Sequence, residues 1–260
     1  DPAMPLLLSW YDGTTVDVTL GNDNSLCLYV CGTFEPNEFS FLHGFLKPGM
    51  VFIDVGANDG YYTLFAARKV GPAGKVISVE PSSRERINLR RNVERNGFDN
   101  VRIVTEALGA SAGEAHLCLA QYKHSGHNTM GSFAHDDVTA ARPEQVRVEM
   151  LDTIMQRLAV PRVDVIKIDV EGAEANVISG GHQTLKSMQP ILLMELSDRA
   201  LRAQGNSAEE LLSILRNTFG YEILNFSLKT GRVELCPEGM PHSANIVAAP
   251  AHRVSELLRA

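Results

Sequence analysis

The chain has 260 residues, 44% of them hydrophobic and 21% charged, and its 24 Lys and Arg against 31 Asp and Glu leave a formal charge of −7. Such an acidic chain has no general attraction to phosphate backbones or anionic lipid, which disfavours a non-specific nucleic-acid binder and a polybasic membrane protein. The length suits one large α/β core or two smaller ones, and no apolar run approaches the roughly 20 residues of a membrane-spanning helix, so no transmembrane segment and a cytoplasmic location are expected.

Residues 1 to 47 are rich in Thr, Val, Leu and Asp, with short alternations at Val16-Asp17-Val18-Thr19-Leu20 and Cys27-Leu28-Tyr29-Val30 that predict a small β-rich N-terminal extension. The cysteines Cys27, Cys31, Cys118 and Cys236 are too few and scattered for a disulfide framework and read as reduced thiols. Cys27 and Cys31 lack the close spacing and second ligand pair of a zinc site, so ordinary packing is their expected role. Lys47-Pro48-Gly49 marks a turn, and residues 48–260 form the second unit, in which strands alternate with helices. Val51 to Val55 reads as a buried strand, followed by a Gly-rich turn and a helix over Tyr61 to Val70. Lys75 to Glu80 is a second strand ending in an acid, and Ser82 with Glu85 forms a capping box for a helix stopped at Gly97. Val101 to Glu106 is a third strand. Two β-like runs, Glu114 to Ala120 and Val146 to Leu151, flank a polar stretch from Gln121 to Gln145. Val163 to Val170 predicts a central strand, followed by a helix from Glu174 that breaks at Gly180-Gly181; Ile191 to Leu196 is a further strand. Ser207 with Glu210 caps another helix ending at Gly220, Tyr221 to Phe226 is a strand, and residues 227–249 read as terminal hairpin.

Strands separated by helices imply a parallel sheet covered on both faces, with ligands bound beyond the strands' carboxyl ends where strand order reverses. The acids at strand ends therefore carry the functional signal. In Asp54-Val55-Gly56-Ala57-Asn58-Asp59-Gly60 the glycines permit a tight turn and close backbone approach to a ligand. The dinucleotide fingerprint needs G-x-G-x-x-G, and the glycines here fall only at 56 and 60, which weakens a nicotinamide reading. Glu80 ends the next strand, where an acid can accept from both ribose hydroxyls, so loop and acid together specify an adenosine-containing cofactor. Lys167, Asp169 and Glu171 alternate, which places them on one side of their strand; charges in a strand otherwise filled by Val and Ile need partners or a polar site. Asp169 is expected to line that site, and Glu195, at the end of the next strand, is a further candidate for its wall.

The blocks Asp54-Val55-Gly56-Ala57-Asn58-Asp59-Gly60-Tyr61-Tyr62-Thr63, Glu80-Pro81, Ala107-Leu108-Gly109 and Lys167-Ile168-Asp169-Val170-Glu171-Gly172-Ala173-Glu174 resemble, in that order, those of the FkbM-type S-adenosylmethionine-dependent methyltransferases. The resemblance implies a class I methyltransferase fold: a Rossmann-like, seven-stranded, mostly parallel sheet whose last strand is antiparallel, with helices on both faces. It also implies methyl transfer to a hydroxyl of a sugar, a glycan or a natural product. Asp59 departs from the family's usual small or apolar residue and adds a charge beside the cofactor loop. Carried over position by position, Asp54, Gly56, Ala57, Asn58 and Gly60 would hold the methionine part of S-adenosylmethionine, Glu80 with Pro81 the ribose, and Glu106 and Ala107 would border the adenine.

Because a sulfonium is an activated donor, the protein has only to align the acceptor oxygen and remove its proton. Asp169 and Glu171 are the carboxylate candidates; His127, in His124-Ser125-Gly126-His127-Asn128-Thr129-Met130-Gly131-Ser132, is the imidazole candidate, with His124 beside it. No metal site is assigned, although Asp169 and Glu171 with Asp136-Asp137 carry oxygen ligands for a divalent ion. Ile168-Asp169-Val170-Glu171 stands where amino-methylating enzymes carry an Asn/Asp-Pro-Pro-aromatic block, which further lowers a nucleic-acid partner. The expected partner is a small-molecule or glycan acceptor, with a homo-oligomer left open. A nicotinamide-dependent oxidoreductase and a noncatalytic cofactor-binding module of a larger assembly are the competing readings.

Overall fold

The computed structural model describes residues 6–19, 21–134, 138–236 and 239–259; Asp136-Asp137 lies outside them. The chain opens with an antiparallel hairpin of β1 (Leu6–Ser9) and β2 (Thr15–Val18), followed by α1 (Asp23–Cys31) and α2 (Pro36–Phe45). The hairpin meets the expectation for the extension, but the strand expected at Cys27–Val30 is helical. The Asn22 side chain accepts the Ser25 N–H at the start of α1 and left-handed Gly32 ends it, and these two caps outweigh a four-residue alternation. Cys27 and Cys31 consequently face solvent as free thiols instead of packing.

The next elements are β3 (Val51–Val55), α3 (Tyr61–Val70), β4 (Lys75–Val79), α4 (Glu85–Arg95), β5 (Val101–Val104), β6 (Ala107–Leu108) and β7 (Gly113–Ala120). A 3-10 segment over Tyr122–His127 leads to β8 (Ala140–Glu149), α5 (Leu151–Arg157), β9 (Val165–Ile168), α6 (Glu174–Gly180) and α7 (His182–Met188). The chain continues through β10 (Ile191–Glu195), α8 (Asp198–Ala203), α9 (Ala208–Phe219), β11 (Tyr221–Phe226), β12 (Val233–Leu235), β13 (Asn245–Pro250) and α10 (Val254–Leu257).

The main sheet has the order β12-β11-β13-β10-β9-β3-β4-β5. β10, β9, β3, β4 and β5 are parallel, and β13 runs antiparallel to both its neighbours. Seven of these strands match the expected sheet with its antiparallel last strand; β12 adds an eighth at the edge, beyond β11. The order reverses between β3 and β9, the point where α/β sheets bind ligands. β6, β7 and β8 form a separate three-stranded sheet.

Alternating strand residues feed two cores. Ile53, Ile77, Ile166 and Leu192 face α5, α6 and α9, whereas Phe52, Val76, Val165 and Leu193 face α2, α3 and the hairpin. Val16, Val18, Phe39, Leu42 and Phe45 of the first 47 residues are buried in this second core, each contributing on the order of 1.5–3 kcal/mol. Trp10 packs edge-on against Phe39 of α2 with ring centroids 5.5 Å apart and lies 6.3 Å from the Phe65 ring of α3, which ties the extension to the helix after the β3 loop.

One glycine sets how closely β3 and β9 approach at those ends. Gly56 has φ +80°, and a Cβ there would lie 1.9 Å from the Asp169 carbonyl oxygen. Gly97 has φ +62° with open space around it, so it isolates the cost of the left-handed backbone alone. Gly97→Ala is expected to destabilise by about 1 kcal/mol and Gly56→Ala by about 3 kcal/mol or more. Thermal and denaturant unfolding of both variants check this, and equal losses would contradict the close approach.

Candidate functional site

The loop after β3 forms the floor of a cavity at the switch point. Gly56, Ala57 and Asn58 line it; Asp54 and Gly60, expected alongside them, do not. Asp54 is fully buried beneath the floor, where Thr63 Oγ1 donates to its Oδ2 at 2.6 Å. Gly60, at φ +91°, starts α3, and a Cβ there would meet Leu89 at 2.5 Å. Asp59 also corrects an expectation: its carboxylate turns away from the cavity and accepts from Asn88 at 3.0 Å, tying the loop to α4.

Lys167 sits at the centre. Its ammonium is 3.7 Å from Asp54 Oδ1 and 3.2 Å from Asp169 Oδ2, donates to the Gly56 carbonyl at 3.1 Å, and lies 5.1 Å from the Tyr62 ring centroid. Burial opposes its charge, yet the carboxylates of Asp169 and Asp54 hold its pKa above the ordinary lysine value. The charges that looked costly in the central strand are thus paired, and Asp169 both pairs with Lys167 and lines the cavity.

Glu80 follows β4 and is buried. The Asn58 N–H donates to Oε2 and the Ser82 N–H to Oε1, both at 2.8 Å. Each oxygen keeps an acceptor position in a carboxylate whose plane is fixed. Pro81, Ala107, Leu108, Leu117 and Met130 continue the wall as an apolar slot. Glu106, expected to border the same ligand, is turned outward: Arg157 donates to its Oε1 at 2.6 Å and holds its pKa below the ordinary value, and it does not line the cavity.

Beyond β9 and β10 the wall is acidic. His127 Nδ1 lies 2.7 Å from Glu171 Oε1. Glu171 has φ +53°, unusual for a residue with a long side chain, and its carbonyl accepts from Thr129 Oγ1 and Gln204 Nε2, both at 2.9 Å. These bonds hold the strained turn, which aims the carboxylate at His127. Carboxylate oxygens of Asp169, Glu171 and Glu195 lie within 4.8 Å of one another, a spacing compatible with a shared cation. Burial, followed by Asp169 and Glu171, raises the pKa of Glu195 far above that of an ordinary glutamate.

The roof joins distant segments. Asn22 Nδ2 donates to Ser125 Oγ at 2.6 Å and to the Tyr122 carbonyl at 3.0 Å, Asn58 Nδ2 donates to the Ser125 carbonyl at 3.2 Å, and His124 Nδ1 meets Asp23 at 2.8 Å. Glu35, the N-cap residue of α2, and Asn245 of β13 complete the lining. Neither these two residues nor Asn22 and Gln204 stand out in the sequence: they belong to no local motif, and only topology brings Glu35, Asn245 and Asn22 to the cavity and Gln204 to the Glu171 carbonyl.

The profile of the Methyltransferase FkbM domain matches residues 54–223. The chain is 25% identical over 214 residues to AMB antimetabolite synthetase AmbE of Pseudomonas aeruginosa, covering 68% of this chain and 10% of that protein. It is 27% identical over 168 residues to 2-O-methyltransferase NoeI of Sinorhizobium fredii, covering 60% of this chain and 66% of that one. It is also 27% identical over 146 residues to Methyltransferase 1 of Beauveria bassiana, covering 49% and 57%. The chain therefore spans only part of each of these relatives. The crystal structure of Methyltransferase FkbM from Methylobacillus flagellatus shares its fold, with a TM-score of 0.50 and 15% identity over 82% of this chain and 47% of the other. Among the described residues no helix is long and apolar enough to cross a membrane.

The buried acids set the pH response. Burial pushes Asp59 up to about 6, Glu174 to about 7 and Glu80 to about 8, against ordinary values of 3.8 for Asp and 4.5 for Glu. Between about pH 5 and pH 8 the folded chain therefore holds protons that the unfolded chain releases, so stability falls as pH rises. Denaturant midpoints are expected to be lower at pH 8 than at pH 5, with a shallower fall in Glu80→Gln. A rising midpoint would contradict these proton assignments.

Proposed function

We propose that this chain, which belongs to the FkbM methyltransferase family, transfers a methyl group from S-adenosylmethionine to a hydroxyl of a sugar, glycan or natural-product acceptor. Membership of a methyltransferase family displaces the nicotinamide reading. The observation that carries the cofactor assignment is Glu80: a buried carboxyl group, fixed by two backbone N–H groups, which once deprotonated has one acceptor position on each oxygen for two adjacent ribose hydroxyls. The slot of Pro81, Ala107, Leu108, Leu117 and Met130 suits a purine, and the acids of β9 and β10 suit a sulfonium. Oxygen as the methylated atom is supported by these neighbouring acids and by the similarity to NoeI, a 2-O-methyltransferase.

S-adenosylmethionine, when bound, supplies a methyl group that needs no further activation. Gly56, Ala57 and Asn58 hold the methionine end through the floor, and Glu80 accepts from the ribose. Asp169, beside the paired Lys167, orients the acceptor at the cavity wall. A carboxylate only accepts, so the Glu171 contact fixes the proton of neutral His127 on Nδ1 and makes Nε2 its basic nitrogen. His127 then takes the hydroxyl proton as the acceptor oxygen attacks, and Glu171 stabilises the imidazolium that forms.

Calorimetric titration is expected to show binding of S-adenosylhomocysteine and none of NAD. Glu80→Ala is expected to weaken S-adenosylhomocysteine binding by about 1–3 kcal/mol. With methyl-labelled S-adenosylmethionine and a panel of sugars, glycolipids and small phenols, Glu171→Gln and His127→Ala are each expected to lower turnover about 10²- to 10⁴-fold without changing S-adenosylhomocysteine affinity. Full turnover in both variants would remove the pair from the mechanism, and absence of transfer by the wild type would favour a noncatalytic module.

A further inference from the structure

The bonding pattern of Glu80 occurs a second time in the cavity. Glu35, at the α2 N-terminus, lines the cavity with a carboxylate held by one hydrogen bond on each oxygen: Tyr62 Oη donates to Oε2 at 2.5 Å and Asn245 Nδ2 to Oε1 at 2.8 Å. Asn245 is held in turn, because it also donates to Glu38 Oε1 at 3.0 Å and its residue pairs with Glu195 across β13 and β10. As with Glu80, the carboxylate plane is fixed and one acceptor position remains on each oxygen. Two acceptor positions side by side on a planar group match two adjacent hydroxyl donors.

Sheet order sets this second carboxylate apart from Glu80. Asn245 begins β13, which is separated from β4 by β10, β9 and β3, so four strand spacings, or about 19 Å, separate it from the strand that leads to Glu80. Asp169, at the end of β9, lies between them in the sheet order. Glu35 and Asn245 also fall outside residues 54–223, the stretch shared with the family, whereas Glu80 falls within it.

We infer that Glu35, held by Tyr62 and Asn245, is a specificity-determining residue that binds a vicinal diol of the acceptor. This rests on the methyl-transfer reading above. Phe34, beside Glu35 in the cavity wall, and Tyr62 have ring centroids 6.0 Å apart and supply an apolar surface for the carbon face of the same polyol.

The test uses the full chain as wild type, Glu35→Gln and Asn245→Ala, with thermal unfolding as a check on folding. Each is titrated with S-adenosylhomocysteine, and initial rates from methyl-labelled S-adenosylmethionine are measured over methyl glycosides that carry a vicinal diol and over their monodeoxy counterparts. The expected result is an S-adenosylhomocysteine Kd within about twofold in all three proteins, with the acceptor KM raised about tenfold or more in Glu35→Gln and less in Asn245→Ala. The wild-type preference for diol over deoxy acceptors should collapse in Glu35→Gln. If Glu35→Gln does not fold, Asn245→Ala carries the same comparison. An unchanged KM and selectivity in the folded variants overturns the inference, as does a Kd weakened as much as KM is raised, which would move Glu35 to the cofactor end. A wild type that binds S-adenosylhomocysteine but shows no preference for diols, or methylates none of the panel, overturns the diol while leaving cofactor binding intact. A wild type that does not bind S-adenosylhomocysteine overturns the methyl-transfer reading and this inference with it.

Discussion

The Lys167 ammonium, buried among Asp54, Asp169 and the Gly56 carbonyl, is the constraint on which the site depends. Asp54 Oδ1 has no hydrogen-bond partner, and the ammonium is the charge that balances it. Removing the lysine would leave carboxylates without compensation in an apolar sheet, a much larger penalty than the net stability of the pair itself. Asp54 belongs to β3 and Lys167 to β9, so the contact also fixes the two strands between which the sheet order reverses. The approach of Gly56 to Asp169 follows from the same contact: the loop can pass this closely only without a side chain, and the ammonium gives its carbonyl a donor.

From that centre the cavity extends in two chemical directions. Toward β4 lie Glu80 and an apolar slot, and the residues there fall within the stretch shared with the family. Toward β10 and β13 lie acids and amides drawn partly from the N-terminal segment and the last strand of the sheet. This division follows from the fold. The switch point is where α/β sheets bind ligands, and segments before β3 and after β11 close the cavity around it. The two directions converge at Asp169, at the end of β9.

Much of the sheet was legible in the sequence because buried parallel strands are short apolar runs bounded by Gly, Pro or acid, as in Val51–Val55 and Ile191–Glu195. Strand-end acids were legible for the same reason, since a charge at the end of such a run needs a purpose or a partner. Orientation was not. Glu106 and Asp59 are acids beside the right elements, but Arg157 draws one outward and Asn88 draws the other against α4. Asp54 stands inside the motif yet serves it from beneath. Cys27–Val30 was misread because four residues cannot distinguish strand from helix when the deciding caps, Asn22 and Gly32, lie just outside them. Glu35 and Asn245 carry no local signal at all: 210 positions separate them in sequence, and only the closed sheet makes them neighbours.

The roof over the cavity has a different character from its floor. The floor is the loop after β3, backed by the buried charges of Lys167 and Asp54; the roof is a handful of side-chain hydrogen bonds between the start of α1 and the 3-10 segment, with Ser125 receiving bonds from both Asn22 and Asn58. Bonds of this type contribute on the order of 1 kcal/mol each, so parting them costs far less than unfolding the domain. A roof held by so few bonds is the least costly part of the cavity wall to part, while the paired charges around Lys167 stay assembled beneath it.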